Sequence, residues 1–313
     1  MAVRAPALST KPKGSRMATL ERRWGLLFVS PWIFGLMVFS VFPMLFSLFL
    51  SFTDYNLARP DQWKFIGLEN WLDLGRDPSM QRSLLVTFRY LMIVVPFLLL
   101  SSLLMAVLLS HPNLRFRSLW VTLFFLPNLV PSVVTGLVWR DTLNIAGPIN
   151  QITRWLFGWD GPRWLADAAW VMPAIALIGL WGTGYTMLNL MAALKNVPKE
   201  LYEAAKIDGA SSTRSFFNIS LPLMSNVIFY NIVTGIIGGF QYFTVAFLIY
   251  NGQGGPKDAG LFFMLKLYKE AFVYLNMGFA SAMAWAMLLI CLVITQVLFA
   301  TSKRWVYTVT EEK

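Results

Sequence analysis

Charge is what this sequence has least of. Only 13% of its 313 residues are Asp, Glu, Lys or Arg, about half the share of an ordinary soluble domain. With 57% hydrophobic residues, too little polar surface remains to cover a water-soluble globule. Histidine and cysteine are nearly absent: His111 and Cys291 stand alone. One histidine builds neither a metal site nor a Ser/His/Asp triad. One cysteine excludes an intramolecular disulfide, and Cys291, inside an apolar run, reads as a small core residue. No G-x-x-x-x-G-K-[ST] phosphate loop occurs, so ATP hydrolysis by that route is not expected of this chain. The apolar runs hold no acids away from their boundaries. That weighs against a self-sufficient secondary transporter or channel, which would carry protons or cations on intramembrane Asp or Glu. Catalytic residues, a resident cofactor and a metal site are all unexpected.

What the sequence does have is long apolar runs, near 24–50, 83–110, 118–140, 168–194, 220–250 and 277–301. Each is long enough to cross about 30 Å of hydrocarbon as a helix. The runs are continuous and do not alternate at period two, so helices fit better than barrel strands. The fold class expected is an all-α membrane protein with six transmembrane helices.

The net charge of +10 follows from orientation. With the N-terminus inside, the cytoplasmic side holds fifteen Lys or Arg against six Asp or Glu, and the outer loops hold ten of each. This is the positive-inside pattern, with both termini cytoplasmic. A nucleic-acid partner is not expected, because no basic stripe interleaved with exposed aromatics lies in a soluble domain. The polar, basic first 23 residues precede a run longer than a signal peptide's apolar region, with no A-x-A pattern behind it. They read as a tail before an uncleaved first helix.

Several features within this frame allow two readings. The outer stretch around Trp63, Phe65, Trp71 and Leu72 suits lipid headgroups. Pro127 and Pro131, with Asn128 between them, predict a bend in the third run. Its freed backbone groups need partners, so the bend is expected to face the protein interior, as a hinge or as ordinary packing. Arg89, about 9 Å inside the second run at 1.5 Å per residue, is either a functional charge or an interfacial anchor within snorkelling range.

The stretch "PKELYEAAKIDGASSTRSFFNISLP", Pro198 to Pro222, is charged and glycine-broken between two apolar runs. Pro198 suits a first helical position, predicting a helix from Pro198 to Asp208, about 16 Å long. Gly209 ends it. Ser211 or Ser212 is placed to cap a second short helix. Glu203-Ala204-Ala205, Gly209, Ile219 and Leu221-Pro222 stand at the spacing of the EAA signature. On these residues the chain resembles the permease subunits of binding-protein-dependent ABC importers, type I. The segments "FPMLFSLFLSFTDYNL", "FIGLENW", "LFFLPNLVPSVVTGLVW", "GGP" and "MGFASAMAWAML" make it similar to carbohydrate-uptake permeases of the maltose and glycerol-phosphate kind. It departs by lacking the large outer insertion that the maltose permease carries, and by having "NGQGGP", Asn251 to Pro256, where the family has a turn two residues shorter.

The resemblance implies a bacterial or archaeal inner-membrane permease domain over 24–302, with cytoplasmic tails at 1–23 and 303–313. A coupling loop at 198–222 would join the fourth and fifth spans. The partners implied are a second, similar permease, two ATPase subunits carrying the ATP and Mg, an extracytoplasmic solute-binding protein, lipid and a sugar. Glu203, Ala204, Ala205, Asp208, Gly209, Leu221 and Pro222 would form the contact with the ATPase and the lever behind it. A sugar path needs hydrogen-bonding groups and flat aromatic faces. Trp181, Tyr185 and Asn189 in the fourth run and Gln241 and Tyr242 in the fifth offer them. Among these runs, Gly182, Tyr185, Gln241 and Tyr242 match positions where the family contacts substrate, and Trp285 is a further candidate. A neutral sugar is favoured over glycerol phosphate, since no cation but Arg89 lies at that depth.

Overall fold

Proline writes the irregularities of this fold before packing does. The computed structural model describes residues 16–307. The expected tails at 1–23 and 303–313 lie partly outside the described residues. By contacts the chain divides after Leu50 into two units. The first contains α1 (Arg16–Leu36), a π-helical turn (Met37–Val41) and α2 (Phe42–Leu50). Within it Arg23–Leu50 forms a 28-residue apolar run. Pro43, Pro96 and Pro222 each stand two residues beyond a π-helical turn, at Met37–Val41, Tyr90–Val94 and Phe216–Ser220. A proline has no amide to donate, and its ring presses on the carbonyl four residues back. The ladder therefore loosens to i→i+5 for one turn. The π-helical turn at Lys269–Val273 has no following proline, and nothing in the structure explains it.

The second unit is helical among its described residues, apart from two isolated β-bridges, Thr53 with Phe65 and Asn56 with Asn276. After α3 (Glu69–Arg76) come α4 (Pro78–Arg89) and α5 (Val95–Leu109), one 32-residue run. It starts five residues before the expected 83 because Asp77 accepts the Ser79 amide at 2.8 Å and Pro78 takes the first helical position. α6 (Arg117–Phe125) ends in a tight turn, Leu126–Leu129, and α7 (Ser132–Thr142) leaves at 99°. The expected span at 118–140 is thus a broken pair. The Phe125 carbonyl at the break accepts from Asn128 Nδ2 at 3.2 Å, so the chain's own side chain meets that need. The bend faces inward only on one side: a Cβ on Gly184 would collide with Asn128 and Phe124, whereas Pro127 borders an open groove.

α8 (Pro148–Phe157) precedes α9 (Val171–Trp181) and α10 (Gly184–Lys195), which meet at 56°. The run read as continuous over 168–194 is broken at Gly182-Thr183, where Gly179, Gly182 and Gly184 weaken the helix. α11 (Lys199–Ile207), α12 (Ser212–Ser215) and α13 (Leu221–Leu223) build the 198–222 loop. α14 (Ser225–Phe240) and α15 (Thr244–Ile249) follow, flanking non-helical Gln241 to Phe243. This run begins at Ser225, not 220, because the π-helical turn before Pro222 still belongs to the loop. α16 (Phe263–Tyr268) and α17 (Met277–Ser302) complete the chain. Four runs are long and apolar enough to cross a membrane, and up to six if each bent pair counts as one span.

Four apolar clusters among the described residues hold these helices together, and two of them bear on the site. One gathers Leu91, Val94, Ile175, Phe240, Phe262 and Leu265 from α9, α14, α16 and the π-helical turn after α4. The other gathers Ala106, Leu109, Met187, Leu190, Val197 and Met224, with Tyr202 and Ile219 packed against it. The 198–222 loop is therefore seated on the bundle.

Candidate functional site

The loop has a fixed base and a bare face. Pro198 stands one residue outside α11, in extended backbone, and Asp208 closes the helix. The helix is thus shorter by one residue at each end than the sequence predicts. Gly209 has φ +76°, with the Ala210 amide on the Ala205 carbonyl at 2.9 Å and the Gly209 amide on the Lys206 carbonyl at 3.1 Å. This is the Schellman arrangement, which needs a left-handed residue after the helix end. A Cβ on Gly209 would meet nothing within 4 Å, so glycine is there for its backbone and not for space. Ser211, one of the two serines read as caps, accepts the Arg214 amide at 3.3 Å.

Tyr202 anchors the helix. Its hydroxyl and Ser220 Oγ lie 2.7 Å apart, and its ring packs with Ile219 on the cluster around Met224. The other faces are bare: Leu201, Glu203, Ala204, Asp208 and, at 87% exposure, Ile207. Among the described residues the Glu203 carboxylate makes no hydrogen bond or ion pair, so within this chain it does not brace the loop. Ala205 turns inward instead. With Asp208, Arg214, Ser215 and Asn218 it borders a notch of about 200 Å³ between α11 and the π-helical turn before Pro222. Leu221 is half-buried, and Pro222 is exposed beside it. Ile207 and Tyr202 were not singled out from the sequence. No local signal marks either, because which side of α11 faces inward is set by the packing of Tyr202 on the cluster around Met224.

The residues proposed for a solute path fall into two groups. Tyr185, at 59% exposure, and Asn189 share the bare face of α10, and Tyr185 stands edge-on to Phe125 at 5.1 Å. Gly182 is exposed at the break above them, and Gln241 is exposed at the end of α14. Tyr242 is not displayed in this way: it stacks on Tyr90 at 5.0 Å and packs against Phe262 at 4.8 Å. Its ring is occupied by these two neighbours. Trp285 is half-buried in α17. Arg89 is exposed between Leu85 and Met92, with no ion-pair partner among the described residues.

Two further features were not legible in sequence. A cleft of about 230 Å³ runs between α5, the α9/α10 break and α14. Tyr90, Ser102, Thr183, Thr186 and Asn231 line it beside Gly182, Gly235 and Gly238. Its residues come from three separate runs, although the facing glycines hint at it. On the segment between the last two runs, buried Lys266 Nζ pairs with Glu270 Oε1 at 2.7 Å and Asp77 Oδ2 at 3.1 Å. Burial works against the ammonium, but the bonds to Glu270 and Asp77 outweigh it and raise the lysine pKa. This triad ties α16 to the start of α4.

Comparison with known proteins matches residues 84–306 to the family described as binding-protein-dependent transport system inner membrane component. The chain is 38% identical over 303 residues to the probable ABC transporter permease protein YesP of Bacillus subtilis (strain 168), across 96% of this chain and 97% of that one. It is 31% identical over 284 residues to the lactose transport system permease protein LacF of Rhizobium radiobacter, across 89% and 94%. Among solved structures it shares the fold of a bacterial ABC transporter involved in the import of the acidic polysaccharide alginate. The TM-score is 0.77, with 93% of this chain and 99% of that chain covered at 21% identity. With four to six runs long and apolar enough to cross a membrane and a family match running from α4 past α17, the chain belongs to the binding-protein-dependent inner membrane components of ABC transporters, which are transport permeases and not enzymes.

Proposed function

We propose that the chain is one of two permease subunits of an ATP-driven importer that brings a neutral sugar or oligosaccharide into the cytoplasm. It would cross the inner membrane six times, each bent pair counting as one span, with both termini inside. The observation that carries this reading is the 198–222 loop, whose outer face is bare while its base is fastened to the bundle. In the proposed mechanism, α11 rests in a groove of an ATPase subunit through Glu203, Ala204 and Ile207. ATP and Mg bind on that partner. The Gly209 turn and the Leu221-Pro222 segment pass the movement of the ATPase to α14 and α10. Tyr185, Asn189, Gly182 and Gln241 then line the path, with a second permease supplying the other half. An extracytoplasmic binding protein, the partner for which the family is described, delivers the solute.

A sugar is supported by the relative described as a lactose permease and by the pairing of an exposed phenol with an exposed amide four residues on. A neutral one is supported by Arg89, the one cation well inside a predicted run, which sits among exposed apolar residues. The test is uptake of lactose and other neutral oligosaccharides by proteoliposomes holding the complete complex. Uptake should require ATP, the binding protein and the ATPase. Uptake by this permease without the ATPase would overturn the reading.

A further inference from the structure

The short helix between the third and fourth runs takes part in neither the loop nor the solute path, and its sides differ sharply in character. α8 is fastened by Asn150, which is buried. The Asn150 Nδ2 donates to the carbonyls of Ile145 and Pro162 at 3.3 and 3.2 Å, and its Oδ1 accepts from Trp164 Nε1 at 3.0 Å. Ile149 beside it packs on the cluster around Leu143 and Ile178. Gly158, at φ +72°, ends the helix, and the chain then runs to Trp170 and into α9. At 100° per residue, Ile152, Trp155 and Leu156 fall together on a side turned away from Asn150, while Gln151 and Arg154 fall on another. All five are exposed, Trp155 by 83%. Phe157 and Trp159 are exposed at the helix end.

We infer that α8 is an interfacial helix lying in the membrane surface, with Ile152, Trp155 and Leu156 against lipid acyl chains and Gln151 and Arg154 in water. Clustered aliphatic and indole side chains are a liability in water, whereas the boundary between headgroups and acyl chains is where indoles prefer to sit. Two observations name lipid as what covers this side. Asn150 ties α8 to Pro162 and Trp164, in the segment that enters α9, so the helix stands where the fourth run meets the membrane surface. In sequence it also continues the exposed apolar side of α7, with Val133, Val134, Leu137 and Val138, inside a bent pair apolar enough to cross the membrane. In the orientation proposed above, the leaflet is the outer one. Charge has no part in the attachment: Arg154 pairs with Asp160 at 2.6 Å, and residues 148–170 hold two Arg against two Asp. Attachment rests on apolar area and not on anionic headgroups. It goes beyond the proposed transport function and holds whatever the solute.

The test is electron paramagnetic resonance of the complete complex in phosphatidylcholine nanodiscs, with one spin label at a time in a Cys291→Ser background. Collisions with oxygen, which concentrates in lipid, are compared with collisions with a water-soluble nickel chelate. Labels on Ile152→Cys and Trp155→Cys should show an oxygen-to-nickel ratio several-fold above that of Gln151→Cys, and the ratio should not change when phosphatidylglycerol replaces phosphatidylcholine. Equal ratios at the three positions would overturn the inference, because α8 would then lie in water. Labels at 152 and 155 shielded from both reagents would overturn it too, since a protein would then cover that side, whether in the resting complex or only after the binding protein is added. A ratio that rises with phosphatidylglycerol would overturn the part given to apolar area. All three side chains are exposed, so the substitutions leave the packing alone. Should Trp155→Cys fail to assemble, Leu156→Cys on the same side is read in its place, with the same outcomes.

Discussion

Replacing Gly209 separates backbone from bulk in the 198–222 loop. Its φ of +76° lies in the left-handed region, yet a Cβ there would touch nothing within 4 Å. The cost of a side chain is therefore conformational, about 1–2 kcal/mol for an ordinary L-residue, more for a β-branched one, and little for asparagine. At about 1.4 kcal/mol per factor of ten, valine should cut the population of the native turn by tenfold or more. The bond from Ala210 to the Ala205 carbonyl would go with it, and the angle between α11 and α12 would change. Solute-stimulated ATPase activity of the reconstituted complex reads this out. Gly209→Asn should stay near wild type, Gly209→Ala should lose several-fold and Gly209→Val should lose most coupling while the complex still assembles. Equal impairment by asparagine and valine would refute the reasoning, because it would mean that a side chain clashes on a partner's surface. Full activity of Gly209→Val would refute the role of the turn altogether.

Ile207→Asp should leave the isolated permease folded, since the side chain is 87% exposed, but should weaken retention of the ATPase on affinity purification by tenfold or more. Tyr202→Phe removes the hydroxyl facing Ser220 and should cost about 1 kcal/mol, seen as a lowered melting temperature in detergent with assembly retained. Lys266→Met should destabilise by about 3 kcal/mol, the low end for breaking a buried pair because Asp77 is partly exposed. Adding Glu270→Leu should recover much of that loss on the same thermal measurement. The raised Lys266 pKa stabilises the fold below the ordinary lysine value of about 10.4 and loses its effect as pH rises through the folded value. Wild-type and Lys266→Met melting temperatures should therefore differ by a constant amount from pH 6 to 9 and converge only above about 10.5.

The membrane class, the helical character and the last run were open to reading because they rest on composition and local pattern. Met277–Ser302 lacks proline and is bounded by turn residues, so its ends could be placed closely. Breaks were harder. Pro127 and Pro131 announce a bend, but its 99° angle depends on how α7 packs against α15. The kink at Gly182-Thr183 was missed because glycine in a membrane helix serves close packing as often as bending. At the loop, the spacing from Glu203 to Pro222 marks the segment, yet spacing says nothing about which side chains are bare. That division, with Tyr202 inward and Ile207 outward, follows from the cluster around Met224. Tyr242 shows the same limit in reverse: its position suits a path, whereas its ring is occupied by Tyr90 and Phe262. The Lys266 triad joins residues nearly two hundred positions apart, beyond any local signal.

The central claim is that the exposed face of α11 meets an ATPase subunit and moves with it. In a Cys291→Ser background, Ile207→Cys can be cross-linked within the assembled complex to single cysteines on the surface of the ATPase, with and without ATP. The account predicts a specific cross-link whose yield changes on adding ATP, and none from Tyr185→Cys. A complex that transports normally while Ile207→Cys fails to cross-link to any ATPase position would contradict it.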